Sequence, residues 1–303
     1  MADLIFTEEA VSTWKKDLVT VIREESIVRK LYPQNQGVTP ADSNYIFRRI
    51  VEQSNIQYGY ELQSRKYSKY ATKKESTAIP LHQGDMTFTR HEAKRAAKDV
   101  LKVDRRVLEM IEDMVQQEEK KGIYGDDITG TVLHDTTNVS TAASPELDMG
   151  TFKEGMEDFH GQVSQVRTLL KNKFQGCKLK ILWTPDVDDR ARAIASTTSE
   201  EVTLYDYIGD WLVKFNGGGA PQDHIFASGF LGATGGGDTP GTTNTALIAS
   251  DPRNMELVSS ELEVIQGRDN LQNLDVQVVM RSKPVFYRDN DAVIYGGTAV
   301  LTP

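Results

Sequence analysis

DRRVLEMIEDMVQQEEKKG, Asp104 to Gly122, is the stretch whose reading organises the chain. Val107, Leu108, Ile111, Met114 and Val115 recur at helical spacing and build one apolar stripe, while Arg105, Arg106, Glu112, Asp113, Gln116, Glu119 and Lys120 cover the other sides. The stretch predicts a long amphipathic helix, with Asp104 accepting backbone N–H groups at its start and Gly122 supplying the left-handed residue that ends it. At ~1.5 Å per residue it is roughly 25–30 Å long, enough to run most of the way across a domain.

Upstream of this helix the helical period disappears. Two extended halves, Ile56–Leu62 and Ala78–Thr89, flank RKYSKYATKKE at Arg65–Glu75, which predicts a long β-hairpin with a tip too polar to bury. The tip interleaves Arg65, Lys66, Lys69, Lys73 and Lys74 with Tyr67 and Tyr70. A solvated loop, a contact with an acidic neighbour and a nucleic-acid surface all fit that composition. A projecting hairpin with little core of its own needs a partner. Asn44–Val51 reads as a short strand and Gln34–Ser43 as a polar linker. Before them, Val11, Trp14, Leu18, Val21 and Ile22 mark a helix over Thr7–Leu31, stopped by Pro33, that packs either on a partner or on its own domain.

Downstream, Ile123–Pro145 is rich in Gly, Thr and Ser and reads as a loop with one short strand. Phe152, Met156, Phe159, Val163, Val166, Leu170 and Phe174 then give a second long helix ending at Gly176. Lys178–Trp183 is a strand, Thr184-Pro185-Asp186 starts a helix reaching about Ser196, and Leu204, Ile208, Trp211, Leu212 and Phe215 make another. Glycine runs at 217–219 and 235–237 are loops among strands His224–Ala227, Ala246–Ala249 and Met255–Ile265. Val276–Met280, Val285–Arg288 and Ala292–Leu301 close the chain, with turns at Pro284 and Asp289–Asp291.

The composition excludes several function classes. With 303 residues the chain can bury a core without disulfides, and its one cysteine, Cys177, rules out both an internal bridge and a cysteine metal site. A formal charge of −9 argues against a protein that coats a nucleic-acid backbone. No signal peptide and no apolar run near the ~20 residues of a membrane span is present, so a soluble cytoplasmic protein is expected.

Chemistry finds no foothold. The Gly232–Thr239 loop lacks the lysine of a phosphate loop. His82, His91, His134, His160 and His224 form no ligand pair on one helix, and Asp186, Asp188 and Asp189 suit a helix's first turn better than a metal. Ser140 and Ser228 sit in no nucleophile elbow, and Cys177 has no local partner. No catalytic, cofactor or metal site is expected.

The order of parts carries the remaining signal: a helical arm, a basic-tipped hairpin, the long helix, a Gly-Asp turn, a second helix, a strand, a TPD-started helix, a Gly-rich region and closing strands. Asp85–Thr89 leading to Val100, Glu118-Glu119 running through Tyr124-Gly125-Asp126, and Val276–Arg281 followed by Pro284–Gly296 add local likenesses. In this order the chain resembles the major capsid proteins of tailed viruses, the Hong Kong 97-type fold, whose cellular relatives are the encapsulins.

The resemblance implies an α+β, Hong Kong 97-like capsid fold with an N-terminal arm at 1–43, a peripheral-domain strand at 44–55 and an extended hairpin loop at 56–89. It further implies a peripheral domain at 90–200 with the spine helix at 104–122, an axial domain at 201–273 and closing strands at 274–303. Arg65, Lys66, Tyr67, Lys69, Tyr70, Lys73 and Lys74 at the hairpin tip, and Val11, Trp14, Leu18, Val21 and Ile22 on the arm, would then contact neighbouring subunits.

The implied partners are copies of the chain in pentamers and hexamers of an icosahedral shell, with portal, scaffolding and decoration proteins. Double-stranded DNA would be packaged without sequence-specific binding, in a virion assembled in the host cytoplasm, with no membrane and no cofactor. No scaffolding segment precedes the arm, which leads us to expect a separate scaffolding protein or none. An encapsulin-type shell around a cargo enzyme, and an unrelated two-domain α/β enzyme or binding protein, are the alternative readings.

Overall fold

The computed structural model describes residues 26–50, 72–89, 100–124, 139–140, 150–170, 174, 176–197, 202–231, 245–253, 255–266, 273–287 and 293–296. In chain order the elements are α1 (Ile27–Leu31), β1 (Gln34–Val38), β2 (Asn44–Ile50), β3 (Thr72–Ala78), β4 (Leu81–Thr89), α2 (Val100–Glu119, continued by a π turn at Lys120–Tyr124) and β5 (Val139–Ser140). There follow α3 (Phe152–Leu170), β6 (Lys178–Trp183), α4 (Pro185–Ala193), α5 (Leu204–Asn216), β7 (Ile225–Ala227), β8 (Thr245–Ser250), β9 (Met255–Ser260), β10 (Glu263–Gln266), β11 (Asn273–Phe286) and β12 (Val293–Gly296).

These elements form two five-stranded sheets and one two-stranded ribbon. In the first sheet β11 is the hub. Asn273–Arg281 runs antiparallel to Thr89–Leu81 of β4, Val276–Val279 is also flanked by Gln266–Glu263 of β10, and Ser282–Phe286 switches to β9. β1 joins β9 in parallel. The second sheet has the order β5-β12-β8-β6-β7. The ribbon pairs β2 with β3 from Asn44↔Ala78 to Ile50↔Thr72.

α2 lies on the first sheet, with Met110, Ile111, Met114 and Val115 buried. Gly84 of β4 makes the close approach possible, since a Cβ there would stand 2.5 Å from Met110 Cγ and 3.2 Å from Met114 Sδ. Phe159, Val163, Val166 and Leu170 of α3 and Leu204, Ile208 and Leu212 of α5 share a core with Leu179, Ile181 and Trp183 of β6. A further cluster joins the sheets: Val28, Leu31 and Tyr32 pack with Leu182, Ala246 and Ile248 of the second sheet and Met255, Leu257 and Phe286 of the first.

The spine helix departs from expectation at both ends. It begins at Val100, so Asp104 is not its cap, and it runs through Gly122 in a π turn. The left-handed glycines of the described residues are Gly217, Gly218 and Gly219. Gly122 serves contact instead, because a Cβ there would come within 2.7 Å of both Val28 methyls. Leu108, expected on the stripe, is 38% exposed. It lies on the flank of the stripe opposite Met110, and the space over Gly84 admits Met110.

Other expectations are also corrected. Of the helix expected over Thr7–Leu31, residues 7–25 fall outside the described residues, and Ser26 is extended and caps a short helix, α1, with its side chain. Gln34–Val38 is a strand, not a linker. Ala78–Thr89 is not one hairpin leg, because Thr72–Ala78 pairs with β2 and Leu81–Thr89 with β11. Lys73, Lys74 and Glu75 therefore lie in a strand, not a tip, and the partner leg is Asn44–Ile50. Ile56–Leu62 falls outside the described residues.

α4 ends at Ala193, earlier than expected, while residues 171–173, which follow α3, fall outside the described residues. Thr184 caps α4 with its carbonyl, which accepts from Val187 and Asp188, while its hydroxyl makes no cap bond. Pro284 marks no turn and sits inside β11 opposite Leu257. Leu257 directs its N–H to Pro33 on the other side, so the Leu257↔Pro284 pair needs no proline N–H. The expected domain break at residue 200 runs through a shared core, since α3 and α4 pack with α5. The closing strands divide between sheets, β11 in the first and β12 in the second.

Candidate assembly surfaces

Two places on the fold adjoin in sequence the segments marked for contact with neighbours. The first is the root of the arm. Ser26 Oγ donates to Glu118 Oε2 at 2.8 Å, and the Ile27 amide donates to Glu119 Oε1 at 2.9 Å. The Ile27 N–H at the start of α1 is thus met by a carboxylate near the end of the spine helix, and the Arg29 N–H by the Ser26 hydroxyl. Arg29 grips Glu118 with Nε at 3.0 Å from Oε2 and Nη2 at 3.1 Å from Oε1.

Glu118 is an ionised group in the core, 1% exposed. Burial alone would raise its pKa, yet the Arg29 charge and hydrogen bonds, followed by His82 and the Ser26 hydroxyl, hold the carboxyl below the usual range. His82 on β4 is fully buried, with Nε2 at 3.0 Å from Ser282 Oγ and Nδ1 unpartnered among the described residues. Its pKa is brought from 6.5 down to about 4, chiefly by burial, against the opposing charge of Glu118 and with smaller downward contributions from Lys121 and Arg29. The sequence shows this cluster in one respect only: Glu118 falls on the stripe position that Ile111, Met114 and Val115 continue.

A second anchor holds α1 from below. Lys180 on β6 donates through Nζ to the carbonyls of Lys30 and Leu31, the latter at 3.4 Å, which satisfies the helix's last acceptors. Burial and the charge of Lys178 bring the Lys180 amine down to about 8.

The other surface is the ribbon. At its root Arg281 donates to the Pro40 carbonyl and to the Ile79 carbonyl, both at 2.7 Å, so one guanidinium ties the strand entering the ribbon to the strand leaving it. Lys283 Nζ reaches Thr77 Oγ1 at 2.8 Å. One ribbon face is aromatic: Tyr45 stacks on Phe47 and Phe47 meets Tyr287 edge-on, beside Val38, Ile79 and Val285. The other face turns Ile46 (57% exposed), Arg48 and Lys74 outward.

At its far end the ribbon opposes like charges. Arg48 stands in register with Lys74, and Arg49 with Lys73. Directly opposed cations on a two-stranded ladder are destabilising unless something else neutralises them.

Of the predicted contact residues, Lys73 and Lys74 lie on β3, whereas Arg65, Lys66, Tyr67, Lys69 and Tyr70, and Val11, Trp14, Leu18, Val21 and Ile22, fall outside the described residues. The Gly232–Thr239 loop, His91 and His134 fall outside them too. Among the described residues no metal-holding group of His, Cys, Asp and Glu occurs, and no helix is long and apolar enough to cross a membrane. Burial and the Asp251 charge push the Cys177 thiol up to about 11, away from a reactive thiolate.

No family model matches the chain, and no curated protein matches it in sequence. Solved structures do match. The capsid of the Myoviridae phage XM1 is 11% identical with a TM-score of 0.58, covering 90% of this chain and 91% of that one. The virus-like particle from Pyrococcus furiosus is also 11% identical with a TM-score of 0.58, over 96% and 99% of the two chains. The capsid of the empty GTA particle is 9% identical with a TM-score of 0.56, over 91% and 97%. At such identities the likeness is one of architecture, and it spans nearly the whole chain in both directions. The chain has the Hong Kong 97-type capsid fold.

Proposed function

We propose that this chain is the major capsid protein of a tailed virus, a structural subunit that self-assembles through pentamers and hexamers into an icosahedral shell around double-stranded DNA. The observation that carries the reading is the near-complete, two-way coverage of particle-forming structures, 90% and 91% for the phage XM1 capsid. A ribbon that turns Ile46 outward, 57% exposed, supports it. The arm residues Val11, Trp14, Leu18, Val21 and Ile22 and the tip residues Arg65 to Lys74 are the proposed contacts between subunits. In this reading the first sheet with α2 is the peripheral domain and the second sheet with α3, α4 and α5 the axial domain. Portal, scaffolding and decoration proteins are the proposed further partners, and the host cytoplasm the proposed place of assembly.

The net charge of −9 suits a container that encloses DNA without gripping it. An encapsulin-type shell around a protein cargo is the second reading, favoured by the 96% and 99% mutual coverage with the Pyrococcus furiosus particle. Negative-stain microscopy of the purified protein, with absorbance at 260 nm, tests both. Icosahedral particles containing DNA are expected. Particles holding protein instead of nucleic acid select the second reading, and a small oligomer that forms no particles overturns both.

A further inference from the structure

α1 is five residues long, too short to hold itself as a helix, and both of its ends are fastened from outside. The two fastenings come from different sheets. At its start, Ser26 and Arg29 bond Glu118 and the Ile27 amide bonds Glu119, on the helix that lies against the first sheet. At its end, Lys180 Nζ donates to the Lys30 and Leu31 carbonyls from β6 of the second sheet.

Position 180 is an unusual place for an amine. By strand alternation it shares a face with Leu182 and stands directly opposite Ile248 of β8, and both of those side chains belong to the apolar cluster between the sheets. Lys180 is half-buried there; burial first, and then the charge of Lys178, lower its pKa to about 8, with Asp223 opposing them. An apolar side chain of similar length would fill the place at less cost in solvation. What it could not do is donate to the last carbonyls of α1.

We propose that Lys180 is a positioning residue for assembly, which fixes the direction of the arm root against both sheets and is not needed for folding. This inference rests on the shell-subunit reading and names the side chain that aims the arm. Held only at Glu118 and Glu119, a single helical turn can pivot about its start. Held at both ends, α1 has one orientation, and residues 1–25, which join it at Ser26, meet the body of the subunit at one place and angle.

The test uses the full chain and separates holding α1 from stabilising the fold. K180M keeps the length of the side chain and removes its donors. It is expected to leave the urea midpoint unchanged or higher. Trypsin cuts after Arg29 and Lys30 only when α1 opens, and K180M is expected to speed that cleavage at least tenfold and to lower particle yield at least tenfold. K178M removes a like charge from the same strand face and is expected to match the unaltered chain in all three readings. A midpoint that falls together with the yield makes Lys180 a stability residue and overturns the proposal. Unchanged cleavage, full assembly of K180M or an equal effect of K178M overturns it as well. If the unaltered chain forms no particles, the shell reading fails, while cleavage and midpoint still decide whether Lys180 holds α1.

Discussion

Arg29 and Glu118, 89 residues apart in sequence, form an ion pair at 3.0 Å with side chains only 7% and 1% exposed. A pair so far from water owes its net worth to completeness, because each charge alone would be left without solvent. Arg29→Met or Glu118→Leu alone is expected to cost about 3–5 kcal/mol, and the double variant much less than the sum. Urea unfolding of the four proteins completes the cycle, and additive losses would show that the two charges do not depend on each other.

His82 and Glu118 make stability depend on acid in the same direction. His82 is held neutral, with a folded pKa of about 4 against 6.5, so the unfolded chain binds the extra proton between those values. Stability is therefore full above pH 6.5 and falls as pH drops toward 4, by ~3 kcal/mol for this group. The depressed Glu118 carboxyl adds a loss at lower pH still, as acid protonates it in the folded state. Denaturant midpoints measured from pH 7 to 4 should fall steeply for the unaltered chain and less for His82→Gln. Parallel curves would remove His82 from the account.

Gly122→Ala is expected to destabilise by about 1–3 kcal/mol, since the new methyl would meet the branched Val28 side chain at 2.7 Å. Val28→Ala should recover part of that loss in the double variant. Gly84→Ala is expected to cost less than Gly122→Ala, because what it meets is the flexible Met110 side chain. Thermal melts of the three variants rank them.

Ile46→Asp separates folding from assembly. Its side chain is 57% exposed on the ribbon's outer face, so the unfolding midpoint should shift by no more than ~0.5 kcal/mol. Light scattering should show a large loss of particles, and undiminished assembly would place the contact on another face.

Much of this architecture was readable wherever one element generates its own signal. α5 is an example: its apolar period, its Thr203–Asp206 capping box and the left-handed Gly217 all lie in consecutive sequence. β1 gave no such signal, because QNQGV earns its place by backbone pairing to β9 more than 200 residues away. β2 and β3 were harder still. Their pairing skips residues 51–71, and the apparent continuity across Pro80 hides a change of sheet. The arm-root cluster was illegible for a similar reason: Ser26, His82, Glu118 and Ser282 meet only once β4 and β11 have paired and α1 and α2 lie against them. A buried carboxylate on a helix stripe was the single local hint.

β11 also determines how the molecule bears load. Arg281, which clasps both legs of the ribbon, sits where this strand leaves β4 and passes to β9. A pull transmitted along the strand acts parallel to the β11–β4 ladder, so its hydrogen bonds are loaded in shear and must yield together, not one after another as in a zipper. A tug on the ribbon is thereby shared among many bonds, and the strand behaves as a tie rod between a projecting limb and the body that carries it.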